Sequence, residues 1–101
     1  MIKIKLHKSM HNVVVAIADA ELIGKKFETE KLQLEVNSIF YDGETLTEAQ
    51  AEEKMKQLKE RPCSFNIVGE RAVQLAIKLK IIDEQNVIKI GGVPHALSFS
   101  I

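Results

Sequence analysis

The chain has 101 residues and a mass of 11.3 kDa, with 46% apolar and 28% charged residues. That length holds one core, and that composition belongs to an ordinary globular domain rather than a disordered chain. Fourteen basic residues balance fourteen acidic ones, which excludes a generally basic nucleic-acid coat and a polybasic membrane binder.

Residues 2–6, Ile-Lys-Ile-Lys-Leu, alternate with period two and predict a strand with Ile2, Ile4 and Leu6 inward. The polar stretch from His7 to Asn12 reads as a loop. Residues 13–18 are a continuous apolar, mostly β-branched run, the pattern of a strand covered on both faces. The two strands are expected to form a hairpin. Asp19 as N-cap and Gly24 as stop then suggest one helical turn. Residues 25–31 are charged and expected to be exposed, and residues 32–36 alternate again as a third strand. Ile39, Phe40 and Tyr41 either extend that strand or pack as an irregular arm before the turn signal Asp42-Gly43.

Thr47 and Gln50 form a capping-box pattern, with Leu46 and Ala51 spaced as a hydrophobic staple. The helix they start carries a narrow stripe of Ala51, Met55 and Leu58 and ends at Arg61-Pro62. Residues 64–68 read as a fourth strand. Gly69 follows, and residues 70–80 form a helix with a wide apolar face of Ala72, Val73, Ala76, Ile77 and Leu79. Residues 83–86 are a turn, 87–90 a fifth strand, Gly91-Gly92 a bend, and 97–101 a terminal strand. The expected fold is a single α+β domain over residues 1–101. It has one small mixed sheet of about five strands, two main helices and a C-terminal β-α-β-like unit. In that unit strands 64–68 and 87–90 run parallel around the second helix, so that their C-terminal ends meet.

The zero net charge hides an asymmetry: residues 1–27 sum to +3, 28–53 to −7 and 54–101 to +4. If folding segregates these segments, one face is basic. The single cysteine, Cys63, allows neither an internal disulfide nor a Cys-rich zinc site. It reads as a buried structural thiol. His7 and His11 lie four apart in a strand-and-loop segment, where that spacing has no helical meaning, so no metal and no cofactor are expected. No apolar run approaches a membrane span, and the lysine-alternating start is unlike a secretory leader. A cytoplasmic location with no membrane partner is expected.

Two junctions carry the chemistry. At Gly69 a helix starts directly after a strand, presenting free N–H groups that suit an anion, with Arg71 as an added cation. Glu70 in the first turn opposes this, because it already complements the helix dipole. The segment Gly91-Gly92-Val93-Pro94-His95 places a titratable imidazole on a loop stiffened by proline. If the strand ends converge, Asn66, Glu70 and His95 come together. Tyr41, beside Phe40, is a candidate for stacking on a base.

The string from Asn66 through Gly69-Glu70-Arg71 to Ala76, then Ile81-Ile-Asp83, then Asn86 through Gly91-Gly92-Val-Pro94-His95-Ala, resembles the archaeal domain-of-unknown-function family 424. Glu21 to Gly24 and Phe40 to Gly43 fit the same family. The resemblance implies an archaeal, cytosolic α+β protein and no activity. Lys80 departs from it, standing where members commonly have glycine, at a left-handed helix end.

The reading reached is a small binding module, RNA- or translation-associated, with its site at Asn66, Gly69, Glu70, Arg71, Gly91, Gly92, Pro94, His95 and Tyr41. The partner expected is RNA or a ribonucleoprotein. The alternatives are a protein–protein adaptor or homodimer, and a small-molecule enzyme using His95 with Asn66 and Glu70.

Overall fold

The computed structural model describes residues 1–99. Ile2–Lys8 (β1) and Val13–Asp19 (β2) pair antiparallel in unbroken register, Ile2 opposite Asp19 and Lys8 opposite Val13. The alternation in β1 works as expected: Ile2 and Ile4 are buried, while Lys3, Lys5 and His7 point to the other side. The continuous apolar run of β2 is covered on both faces. Val15 and Ile17 join one core, and Ala16 and Ala18 join a second.

Glu44–Leu46 (β5) adds to the outer side of β1, antiparallel. Ser64–Val68 (β6) lies parallel to β2, Val14 opposite Ser64 and Ala18 opposite Val68. Val93–Ser98 (β8) pairs antiparallel with β6, and Ile88–Ile90 (β7) pairs antiparallel with β8 at the sheet edge. The six-stranded order is β5-β1-β2-β6-β8-β7. The fold is therefore α+β with a mixed sheet and two main helices, as the sequence indicated.

The expected parallel contact between 64–68 and 87–90 does not form. Gly91 and Gly92 both have positive φ, 58° and 82°, and they make a two-residue turn between the paired Ile90 and Val93. Such turns need positive φ at both central residues, which glycine adopts freely. The chain reverses at once, and β8 with six residues takes the place beside β6 rather than β7 with three. Seating the longer strand there pairs more backbone groups. Pro94 consequently lies in a strand, not in a stiffened loop. The last two residues of the expected strand 97–101 lie outside the described residues.

The helices cover one face. Glu48–Lys59 (α2) starts at Thr47 with the full capping box: Thr47 Oγ1 accepts from Gln50 N–H at 3.1 Å, and Gln50 Oε1 accepts from Thr47 N–H at 3.0 Å. Its stripe of Ala51, Met55 and Leu58 is buried. Glu70–Lys78 (α3) buries Ala72, Val73, Leu75 and Ala76 against β2, β6 and β8. Lys80 does end α3 in the left-handed region, at φ 61°. Its N–H donates to Ile77 C=O at 3.0 Å and that of Ile81 to Ala76 C=O at 2.9 Å. These are the two bonds of a Schellman cap, here built on lysine.

The opposite face is covered in part by a separate hairpin. Lys26–Glu28 (β3) and Gln33–Glu35 (β4) pair with each other and not with the main sheet. The alternation at 32–36 does mark a strand. Its inward residues Leu34 and Val36 are buried with Ala16, Ala18, Tyr41, Val68 and Ile90. The arm 39–41 is a short helix, Ser38–Tyr41 (α1), started by Asn37 Oδ1 accepting from Ile39 N–H at 2.7 Å.

Candidate functional site on the open sheet face

Parallel register between β2 and β6 puts Asp19 beside Gly69, one step past the pair Ala18–Val68. The buried Asp19 carboxylate accepts from Ala72 N–H at 2.8 Å and from Arg71 N–H at 3.1 Å. The free donors at the start of α3 are thus met by the protein's own anion. Gly69 sits at φ 109°, and a Cβ there would lie 2.4 Å from the Asp19 carboxyl carbon. The close approach that this glycine permits is to Asp19. Burial pushes the Asp19 carboxyl up from its ordinary value, against the pull of the Ala72 and Arg71 amides. The pattern of Asp19 and Gly24 predicts a cap for one turn over residues 20–23; a short 3-10 helix does form at Ala20–Leu22, but the Asp19 side chain makes no cap bond to it. Only the strand pairing reveals its target.

Gly69 N–H donates to Pro94 C=O at 2.9 Å, while Gly69 C=O accepts from Val73 N–H at 2.9 Å. In an antiparallel pair the N–H of residue 94 would compete for that same carbonyl. Proline has none, so the carbonyl is left to begin the helix. The proline-bearing strand and the start of α3 therefore do lie together, by a route other than the parallel one expected.

The side chains at this junction divide between the two sheet faces. Glu70 lines a groove of about 280 Å³ on the helix side with Val73, Lys89 and Pro94. Arg71 pairs with Glu21, Nη2 to Oε2 at 2.7 Å. His95, one residue from Pro94, points to the other face. There its Nε2 lies 3.0 Å from Asn66 Oδ1, and the Tyr41 hydroxyl donates to the same oxygen at 2.6 Å. Tyr41, Asn66 and His95 form one cluster, brought in by α1, β6 and β8. Glu70 makes no hydrogen bond or ion pair with it among the described residues. Burial lowers the His95 pKa from 6.5 and pushes that of Tyr41 up to about 12. Both groups are neutral at pH 7 and act there as hydrogen-bond partners.

His7 and Phe40, together with the exposed apolar residues of β7 and β8, complete this face. His7, read as loop, is in β1: its ring stacks on Phe40 with centroids 4.5 Å apart, and its Nε2 lies 2.7 Å from the Phe40 carbonyl. Phe40 in turn meets Tyr41 edge-on at 4.9 Å. The period-two pattern that placed Ile2, Ile4 and Leu6 inward would have placed His7 on the far side had it been carried one residue further. On the other side of the cluster, Leu97 lies beside Asn66 and Ile88 beside His95. These two are 44% and 48% exposed, and Phe99, which follows β8, is 74% exposed. A depression of about 190 Å³ lies between Asn86, Ile88, His95 and Leu97.

Cys63 is buried, donates to Leu58 C=O at 3.2 Å, and has its pKa raised by burial. It is an inert thiol here. Among the described residues no group of three His, Cys, Asp or Glu side chains is placed to hold a metal ion, and no helix is long and apolar enough to cross a membrane.

The family described as "Protein of unknown function (DUF424)" matches residues 7–101. A similar solved structure is that of an uncharacterized conserved protein from Methanopyrus kandleri. It is 23% identical, with a TM-score of 0.86, over 99% of this chain and 91% of that one. No curated protein matches.

Proposed function

The chain belongs to the DUF424 family of unknown function, and from its surface we propose that it is a binding module taking single-stranded RNA on the open half of its second sheet face. The observation that carries this is the placement of the Tyr41–Asn66–His95 cluster between the partly exposed Phe40 ring and the exposed Leu97 and Phe99. A sheet surface with apolar and aromatic side chains around a few polar groups suits unstacked bases. At its β1 side Lys5, on the same strand face as His7, holds its ammonium at the Ile39 carbonyl, 2.6 Å away, and supplies a cation for the backbone phosphates. Part of the remaining charge is internally paired. Lys3–Asp42, Lys54–Glu44 and Lys78–Glu52 join the basic ends of the chain to its acidic middle.

Fluorescence anisotropy with labelled single-stranded RNA of about eight nucleotides tests the reading. Binding should weaken as salt rises, and Leu97→Ala with Phe99→Ala should weaken it further. No binding at the lowest salt, or binding untouched by that double change, contradicts it.

A second reading, a homodimer or protein adaptor, is favoured by one feature. β8 runs three residues past its pairing with β7, from Ala96 to Ser98, with no strand beside it on that side among the described residues. Such an edge accepts another strand. Light scattering at increasing concentration distinguishes a dimer from a monomer.

A further inference from the structure

Resting on that reading, we infer that Asn66 and His95 contact a base edge rather than a phosphate, and so give the module a base preference. The argument starts from the Tyr41 hydrogen bond. At 2.6 Å from Asn66 Oδ1 it has an O–H···O length, shorter than an N–H···O bond normally is. The Asn66 carbonyl therefore faces inward and accepts from Tyr41. His95 lies 3.0 Å from the same oxygen, so its Nε2 carries the proton and its Nδ1 is an acceptor.

Two groups of the cluster remain. Arg71 Nε is the one buried side-chain nitrogen or oxygen without a partner among the described residues. Asn66 Nδ2 and His95 Nδ1 have no partner there either, and neither atom is fully buried. The cluster thus presents donors on Asn66 and an acceptor on His95, and it holds no cation. A phosphate could accept from Asn66 but would meet a lone pair on His95. A nucleobase edge offers a donor next to an acceptor and satisfies both. The four bases differ in the order of those groups, so a fixed donor–acceptor pair discriminates among them.

Asn66→Asp is the informative change. The carboxylate still accepts from Tyr41 and His95, while the outward group turns from donor to acceptor. Affinities for adenine, cytosine and uracil homo-oligomers are measured for both proteins. The wild-type chain should separate them by about ten-fold, the scale of one good paired base contact. In Asn66→Asp the order of preference should change. Equal affinity for all three in the wild type overturns the inference, as does a uniform loss in the variant, which marks a phosphate contact. Either result leaves RNA binding itself intact. No binding of any oligomer overturns the reading beneath it and this inference together. If the variant does not fold, the wild-type chain still decides. The Asn66 side-chain amide resonances should shift on adding cytidine or adenosine and not on adding inorganic phosphate. A shift with phosphate alone, or with neither, contradicts the assignment.

Discussion

Asp19 stands at the end of β2, yet it caps a helix start 52 residues further along, at Arg71 N–H. Two consequences follow from how closely Gly69 is pressed against it. Any side chain at 69 meets the carboxylate and is also forced into a φ of 109°, a region essentially closed to L-residues. Gly69→Ala should therefore cost about 3 kcal/mol or more, read as a fall in the denaturant midpoint. A cost under about 1 kcal/mol, the scale of one lost cap bond, would show that the junction is looser than described. Lys80 is the opposite case, a residue that tolerates strain glycine would not have. Lys80→Gly keeps both cap bonds and relieves the left-handed penalty, so the chain should gain about 1 kcal/mol. For a domain of this size that is a melting temperature raised by roughly 4–8 °C. An unchanged or lower midpoint would contradict it. The capping box at Thr47 was legible in the sequence because it is a local contact, closed within one turn, whereas Lys80 stood out only against the glycine that the family resemblance implies there. Asp19 was not legible in this way. Its partner is set by strand register, which no local pattern encodes.

At the scale of elements, the C-terminal hairpin explains what the linear reading could reach. Residues 87–90 read as a strand and Gly91-Gly92 as a bend. What was missing was that Val93, Pro94 and His95 continue as a strand. Proline weighs against a strand assignment because it lacks a donor, and here the lost donor is the reason Pro94 fits. Its neighbour His95 is carried onto the open face with Asn66. Burial holds the folded-state pKa of His95 below 6.5, which gives stability a pH dependence of fixed sign. The contribution is fully present above pH 6.5, and it is lost as pH falls through the lowered value, because protonation is easier in the unfolded chain. His95→Gln, which keeps a donor for Asn66, should flatten the stability profile on that acid side. A profile identical to the wild type would mean that the imidazole does not feel its burial. The short elements β3 and β5, three residues each, were missed for a different reason. Their sequences, Lys-Phe-Glu and Glu-Thr-Leu, are too brief and polar to show a period. They form because a hairpin partner and the edge of β1 supply the pairing.

For the whole molecule, the sheet is a partition. One face is closed by α2 and α3 over a continuous core. The other is closed by the β3–β4 hairpin and α1 over a smaller core that stops at Tyr41 and Ile90. Beyond that limit Ile88, Leu97 and Phe99 are left in contact with solvent. The charge asymmetry read along the chain is offset in part, by pairs at Asp42, Glu44 and Glu52. Its acidic middle is stitched to both ends by ion pairs, and surface pairs of this kind add little to stability. What distinguishes the open face is its shape and its neutral polar cluster, and it is there that binding should register. Backbone amide chemical shifts of the isotope-labelled chain, followed during titration with short single-stranded RNA at low salt, report on every element at once. The expected result is a set of changes confined to His7, Phe40, Tyr41, Asn66, Ile88 and His95 through Phe99. Changes centred on α2 and α3 instead, or none at all, would contradict the assignment of that face as the binding surface.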